Sequence, residues 1–151
     1  MPLSLRRNRP LDLDPLERLL ADPDDLAKVN PHAKHPLDPF EWGNKWLGEP
    51  DDASYYLVDD TGREVGFIAL RVGIGPEVRL VTYVFVEEAS RGGTGEVLID
   101  LAEEAARDLG ALSIMLKAET DNPAALRLYE KAGYETLGER ETMVTMRKDL
   151  A

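Results

Sequence analysis

Two groups of residues in this chain have types and spacings that could do chemistry. The first is the run Ser90-Arg91-Gly92-Gly93-Thr94-Gly95, which stands between an apolar stretch and an amphipathic one. A glycine loop feeding a helix N-terminus directs unpaired backbone N–H groups, and the positive end of the helix dipole, at one spot. That spot suits a phosphate. The second is Asn122 with Tyr129, seven residues apart. At about 100° per residue they lie on nearly the same helix face, two turns apart. Asn122, just before Pro123, can cap the helix and still offer its amide outward. The Tyr129 phenol can donate a proton or a hydrogen bond. Taken alone, each group also has a plain structural reading: a helix-opening turn for the first, a cap and a core tyrosine for the second. The loop is not a P-loop, because no Gly-Lys-Ser/Thr follows, and its glycines do not fall at the G-x-G-x-x-G spacing.

The elements that must position these groups can be read from the pattern. Residues 78–86 form a nearly continuous apolar run rich in β-branched and aromatic residues, a buried strand. After the loop, Val97, Leu98, Leu101, Ala102, Ala105 and Leu109 make one helical stripe, and Gly110 stops it. Upstream, residues 4–9 read as a short strand. Three Asp-Pro starts follow. Asp14 acts as N-cap of a helix to about residue 20, Asp22 opens a turn through residue 28, and Asp38 opens a helix to near residue 48. The last of these carries Trp42 and Trp46 on one face. Residues 54–58 and 64–72 are strands joined by a turn at Asp59-Asp60-Thr61-Gly62. Residues 73–77 are a second turn. Residues 112–118 are a buried strand, 123–131 a helix stopped by Gly133, and 134–137 and 142–147 two closing strands. The helical crossover between residues 86 and 112 calls for parallel pairing there. The expected fold is α/β, a mixed sheet with helices on its faces.

Composition bounds the function. At 151 residues the chain is expected to be one domain, residues 1–151, with enough length to bury a core. Cysteine is absent, which removes disulfides, thiolate metal sites and a cysteine nucleophile. The net charge of -11 argues against nucleic acid, since phosphate neutralisation needs Lys and Arg, and it is compatible with a cationic acceptor such as an amine. It also serves solubility. No run is long and apolar enough to span a membrane, and no apolar h-region follows the basic N-terminus. The expected compartment is the cytoplasm.

Together the two groups resemble the GNAT family of acetyl-CoA-dependent N-acyltransferases. The family's cofactor motif, Q/R-x-x-G-x-G/A after a central strand, falls on residues 90–95. Its later motif, N-x-x-A-x-x-x-Y-x-x-x-G-F/Y, is matched by Asn122, Ala125, Tyr129, Gly133 and Tyr134. The resemblance covers residues 54–148; residues 1–53 match only in being helical. Ser90 departs from the pattern, standing where Gln or Arg is usual, with Arg91 one place late. The resemblance implies a mostly antiparallel sheet of six to seven strands with a splayed central pair and helices on both faces. It implies acetyl-CoA as cofactor, with the backbone N–H groups of Arg91, Gly92, Gly93, Thr94, Gly95 and Glu96 holding its pyrophosphate beside Ser90. The pantetheine arm would pair with the backbone of Val84, Phe85 and Val86 and meet Asn122. The N–H near Tyr83 would polarise the thioester carbonyl, and Tyr129 would protonate or hydrogen-bond the leaving thiolate. The acceptor would be a small-molecule or peptide amine, attacking directly, with residues 1–53 lining its site. A homodimer through edge strands is compatible with this.

The general base stays open. Glu77, Thr82, Glu41, His32 and His35 are the groups considered, and Arg79 carries the wrong charge. The two histidines, three apart in a proline-broken loop, lack the further ligands a metal needs, so no metal is expected. Trp42 and Trp46 read as core or as acceptor-pocket wall. Two other classes of answer remain: a regulatory or pseudo-enzyme domain that binds acyl-CoA without turnover, and a partner-binding domain whose glycine loop is only a turn.

Overall fold

The computed structural model describes residues 2–150. In order they form β1 (Ser4–Arg7), α1 (Asp14–Leu19), α2 (Pro23–Val29), α3 (Pro39–Lys45), β2 (Ala53–Val58), β3 (Glu64–Gly73) and β4 (Gly75–Val86). A 3-10 turn (Glu88–Ser90), α4 (Thr94–Asp108), β5 (Ser113–Glu119), α5 (Pro123–Lys131), β6 (Glu135–Arg140) and β7 (Met143–Asp149) complete the chain. The strands follow the hydrogen-bonded order β1-β2-β3-β4-β5-β7-β6. β1 with β2, β5 with β7 and β6 with β7 are antiparallel. β4 with β5 is parallel, as the helical crossover requires. The β4–β5 ladder runs from Val78↔Ser113 only to Leu80↔Met115, whereas β5 stays paired with β7 as far as Glu119↔Met143. The class is therefore mixed α/β with a mostly antiparallel seven-stranded sheet.

The described residues divide into two compact units. One holds residues 2–69 and 83–91, the other residues 70–82 and 92–150. In the first, Leu16, Leu19, Leu20, Leu26 and Trp42 of the N-terminal helices meet Tyr56, Val58, Phe67 and Phe85 of the strands in one buried cluster. α2 and α3 start where the Asp-Pro pairs predict. Asp22 accepts from Asp24 and Asp25 N–H, and Asp38 from Phe40 N–H. α1 differs. Asp14 is its first residue rather than its cap; Asp14 N–H donates to Asp12 Oδ1 at 3.0 Å, and Leu13 stands at the cap without a side-chain bond.

In the second unit α4 packs on β5. Its buried stripe is Leu98, Ile99, Ala102, Ala105 and Ala106; Val97 is exposed and Leu101 and Leu109 are half-buried, so the apolar face is turned by about one residue from the predicted one. The same face buries Glu103, whose carboxylate accepts from Tyr134 Oη at 3.2 Å and Lys148 Nζ at 2.8 Å. The turn predicted at residues 73–77 shrinks to Ile74, flanked by Gly73 and by Gly75 at φ +97, so β4 begins at Gly75. β6 runs to Arg140, past the predicted end. All its residues are exposed, so it has no alternation to read, and its register shifts between Thr136 and Gly138.

Candidate active site

In the first unit the end of β4 carries the unusual backbone. Tyr83 has φ 53, a left-handed conformation that a tyrosine seldom adopts and that a regular strand does not contain. Its half-buried ring stands edge-on to Trp42, centroids 5.3 Å apart, packed against the buried cluster. Packing that over-determines a strained backbone is what lets it persist. Beyond it, Glu87 N–H rejoins β3 at Val65 O, 2.9 Å. Gly66 makes room for this course: a Cβ there would lie 2.6 Å from the Phe85 carbonyl oxygen.

Val84, Phe85, Val86 and Arg91, all predicted cofactor contacts, line one cavity of about 260 Å³ with Asp25, Lys28 and Val29 of α2. Arg91 is held there by two contacts. Its Nε donates to Val86 O at 2.8 Å, and its guanidinium lies 5.7 Å from the Phe85 ring centroid. Lys28 adds a second cation to the wall. Nothing in the sequence marks it, because a lysine near the end of a short helix reads as a solvated C-terminal charge. Ser90 Oγ donates to Glu87 Oε1 at 3.1 Å, and Glu87 is clamped by Arg63 at 2.6 and 2.8 Å. The Arg91 N–H donates to Glu88 O at 3.2 Å, closing the 3-10 turn, so it is not a free donor.

The second unit begins with the glycines. Gly92 has φ 104 and Gly93, the N-cap of α4, has φ 72. A Cβ at either would meet nothing within 4 Å, so backbone conformation rather than crowding requires glycine, and the space before the helix is open. α4 is the longest helix, 15 residues, and its start has no side-chain cap. α2, α3 and α5 are capped by Asp22, Asp38 and Asn122. The N-cap Gly93 has no side chain to cap the helix start, and the space beside Gly92 and Gly93 is open, an arrangement that an anionic phosphate suits. At Gly95 a Cβ would come to 3.0 Å from Leu128, which brings α4 and α5 close. The Glu96 side chain is exposed and lies 3.5 Å from Lys131 Nζ.

α5 places the other pair. Asn122 Oδ1 accepts from Ala125 N–H at 3.2 Å, so the cap uses its oxygen and not its amide nitrogen, and the residue is exposed. At the far end Gly133, φ 99, donates to Glu130 O at 3.0 Å and Tyr134 N–H donates to Tyr129 O at 3.0 Å. This is a Schellman closure. It lays the two tyrosine rings 5.8 Å apart and fixes Tyr134 through Glu103. Tyr129 is half-buried, and burial raises its phenol pKa above the ordinary value. Among the described residues none hydrogen-bonds its hydroxyl.

The candidate bases are scattered. Glu77 and His35 are exposed, and His35 Nε2 lies 3.3 Å from Ala21 O. His32 sits in the loop before α3. Arg79 is buried and donates to Leu70 O at 3.1 Å. Thr82 Oγ1 is buried without a partner among the described residues. Glu41 is buried in α3.

Residues 16–134 match the model of the Acetyltransferase (GNAT) family. The chain belongs to that family. An uncharacterized N-acetyltransferase of Methanocaldococcus jannaschii is 30% identical over 100 residues, 62% of this chain and 44% of that protein. An uncharacterized N-acetyltransferase of Bacillus subtilis is 31% identical over 106 residues, 66% of this chain and 64% of that one. The match thus spans less than two thirds of either relative. Among solved structures, spermidine N-acetyltransferase from Vibrio cholerae in complex with CoA and spermine superposes with a TM-score of 0.77 at 19% identity. That match covers 98% of this chain and 95% of the other, a likeness of fold. No helix among the described residues is long and apolar enough to cross a membrane.

Proposed function

We propose that this chain transfers the acetyl group of acetyl-CoA to a primary amine. The observation that carries the reading is the start of α4: a long helix, uncapped, opened by Gly92 and Gly93 in left-handed conformations before open space. Those features fit a pyrophosphate. The N–H groups of residues 92–96 would hold it, with the Arg91 guanidinium supplying the side-chain N–H donors that the motif's Gln or Arg usually supplies, and a positive charge besides. Lys28, on the same cavity wall as Arg91, would add to it. Val84, Phe85 and Val86 would take the pantetheine arm, and the amide nitrogen of Asn122 would hydrogen-bond it.

Acetyl-CoA, when bound, supplies an acetyl thioester. The N–H near Tyr83, where the backbone is left-handed, would polarise the thioester carbonyl. Tyr129 would give its proton to the sulfur that leaves as the neutral amine nitrogen bonds to the acetyl carbon, and the proton that nitrogen then sheds would restore the phenol. A phenol is protonated at neutral pH, and burial, which raises the Tyr129 pKa, keeps that proton available to give. Residues 1–53 would form the acceptor side. The net charge of -11 favours a cationic acceptor. One observation favours a second reading, an acyl-CoA-binding regulatory domain without turnover: Ser90, where the motif has Gln or Arg, is too short to reach as they do, and its hydroxyl donates to Glu87. Thiol release from acetyl-CoA across a panel of primary amines separates the two. Amine-dependent release supports the enzyme; tight binding with no release supports the regulatory domain.

A further inference from the structure

Glu41 is an acid whose side chain is only 4% exposed. Its Oε1 accepts from Lys34 N–H at 3.0 Å. Its Oε2 lies 3.6 Å from Lys45 Nζ, one turn on, an ion-pair distance and no hydrogen bond. Lys45 is 60% exposed, on a flexible stem, and its ammonium stands 5.8 Å from the Trp46 ring centroid. Trp46 meets Trp42 edge-on at 5.2 Å, and Trp42 meets Tyr83 at 5.3 Å. A carboxylate and an indole ring thus converge on one ammonium, and aromatic contacts connect that place to the left-handed residue of β4.

An exposed i,i+4 pair gains too little to explain burying the acid. A cation set between a carboxylate and an indole ring gains from both, and more so when water is excluded. The tethered ammonium also has the chemistry of an amine. We propose that Glu41 and Trp46 form a subsite for a second cationic group of the acceptor, and that Lys45 fills it when no acceptor is bound. The acceptor class is then a diamine or polyamine rather than a monoamine. This rests on the amine-acceptor reading and deepens it. Glu41 serves as a cation-binding residue rather than as the general base.

The test is calorimetric titration of the full chain with putrescine and with butylamine, which differ by one ammonium group. The expected result is at least tenfold tighter binding of putrescine. Lys45→Met removes the tethered competitor and should tighten putrescine binding severalfold. Glu41→Gln keeps an acceptor oxygen for Lys34 N–H and should abolish the preference. Equal affinity for the two amines overturns the subsite, as does a Lys45→Met variant that binds putrescine no better than the parent chain. Because Lys45 is exposed, that variant decides the matter even if Glu41→Gln fails to fold. Tighter binding of putrescine than of butylamine without thiol release would uphold the subsite and contradict the transferase; release with no diamine preference would contradict the subsite alone.

Discussion

Tyr134 N–H donates to the Tyr129 carbonyl oxygen at 3.0 Å, and their rings stand 5.8 Å apart. The residue between helix and ring is Gly133 at φ 99, where a Cβ would meet the Lys148 side chain only at ordinary contact, 3.5 Å. Strain alone therefore opposes substitution. Gly133→Ala should cost about 1–2 kcal/mol of stability, and Gly133→Asn less, since Asn tolerates left-handed backbone. Denaturant unfolding of the pair checks this; equal stability of Gly133→Ala and the parent chain would show that the closure does not hold.

Tyr129→Phe should lower turnover by about 100-fold or more, the usual contribution of general acid catalysis, with coenzyme A affinity within about twofold because the ring still packs on Tyr134. The pH profile carries a sign. Burial raises the Tyr129 pKa above its ordinary value of about 10, so the active, protonated form persists below that pH and is lost only above it. No Tyr129-dependent fall in rate is expected between pH 7 and about pH 10. A fall centred below about pH 9, absent from the residual rate of Tyr129→Phe, would contradict the assignment.

Arg91→Ala should weaken coenzyme A binding about tenfold, the low end for a hydrogen bond to a charged group at an exposed position. Acetyl-pantetheine, which has no phosphate, should bind the variant as it binds the parent. Equal losses for both ligands would mean that Arg91 shapes the Phe85–Val86 wall instead of meeting the phosphates.

The parts that local chemistry controls were legible in the sequence. Asp22, Asp38 and Asn122 cap their helices because each stands immediately before a proline that fixes the first helical φ. Gly110 and Gly133 end theirs in left-handed turns. The parallel β4–β5 pairing followed from the length of the crossover alone. What local chemistry does not control was missed. Tyr83 bears no mark of its left-handed backbone, which arises from packing against Trp42 and from the room left by Gly66. Lys28 reaches the cavity of Arg91 only because α2 stands beside it. Asp14 is not the cap of α1: Leu13 holds that place, and Asp14 N–H goes to Asp12, whose own N–H is held by Asn8 Oδ1 at 2.8 Å, a loop arrangement that no spacing rule anticipates.

Gly93→Ala probes the start of α4. The added methyl meets no atom within 4 Å, so the variant should fold with a loss of about 1–2 kcal/mol from left-handed strain. Its coenzyme A affinity should fall by more than that of Gly110→Ala, which pays the same strain at the other end of the helix. Equal affinities in calorimetry would mean that the loop is a turn and not an anion site.

Steady-state thiol release from acetyl-CoA is the direct measure of acetyl transfer to an amine. Release should rise with added primary amine, saturate, and fall about 100-fold or more in Tyr129→Phe. Acetyl-CoA that binds the chain yet yields no more thiol with any amine than by unaided hydrolysis would contradict it.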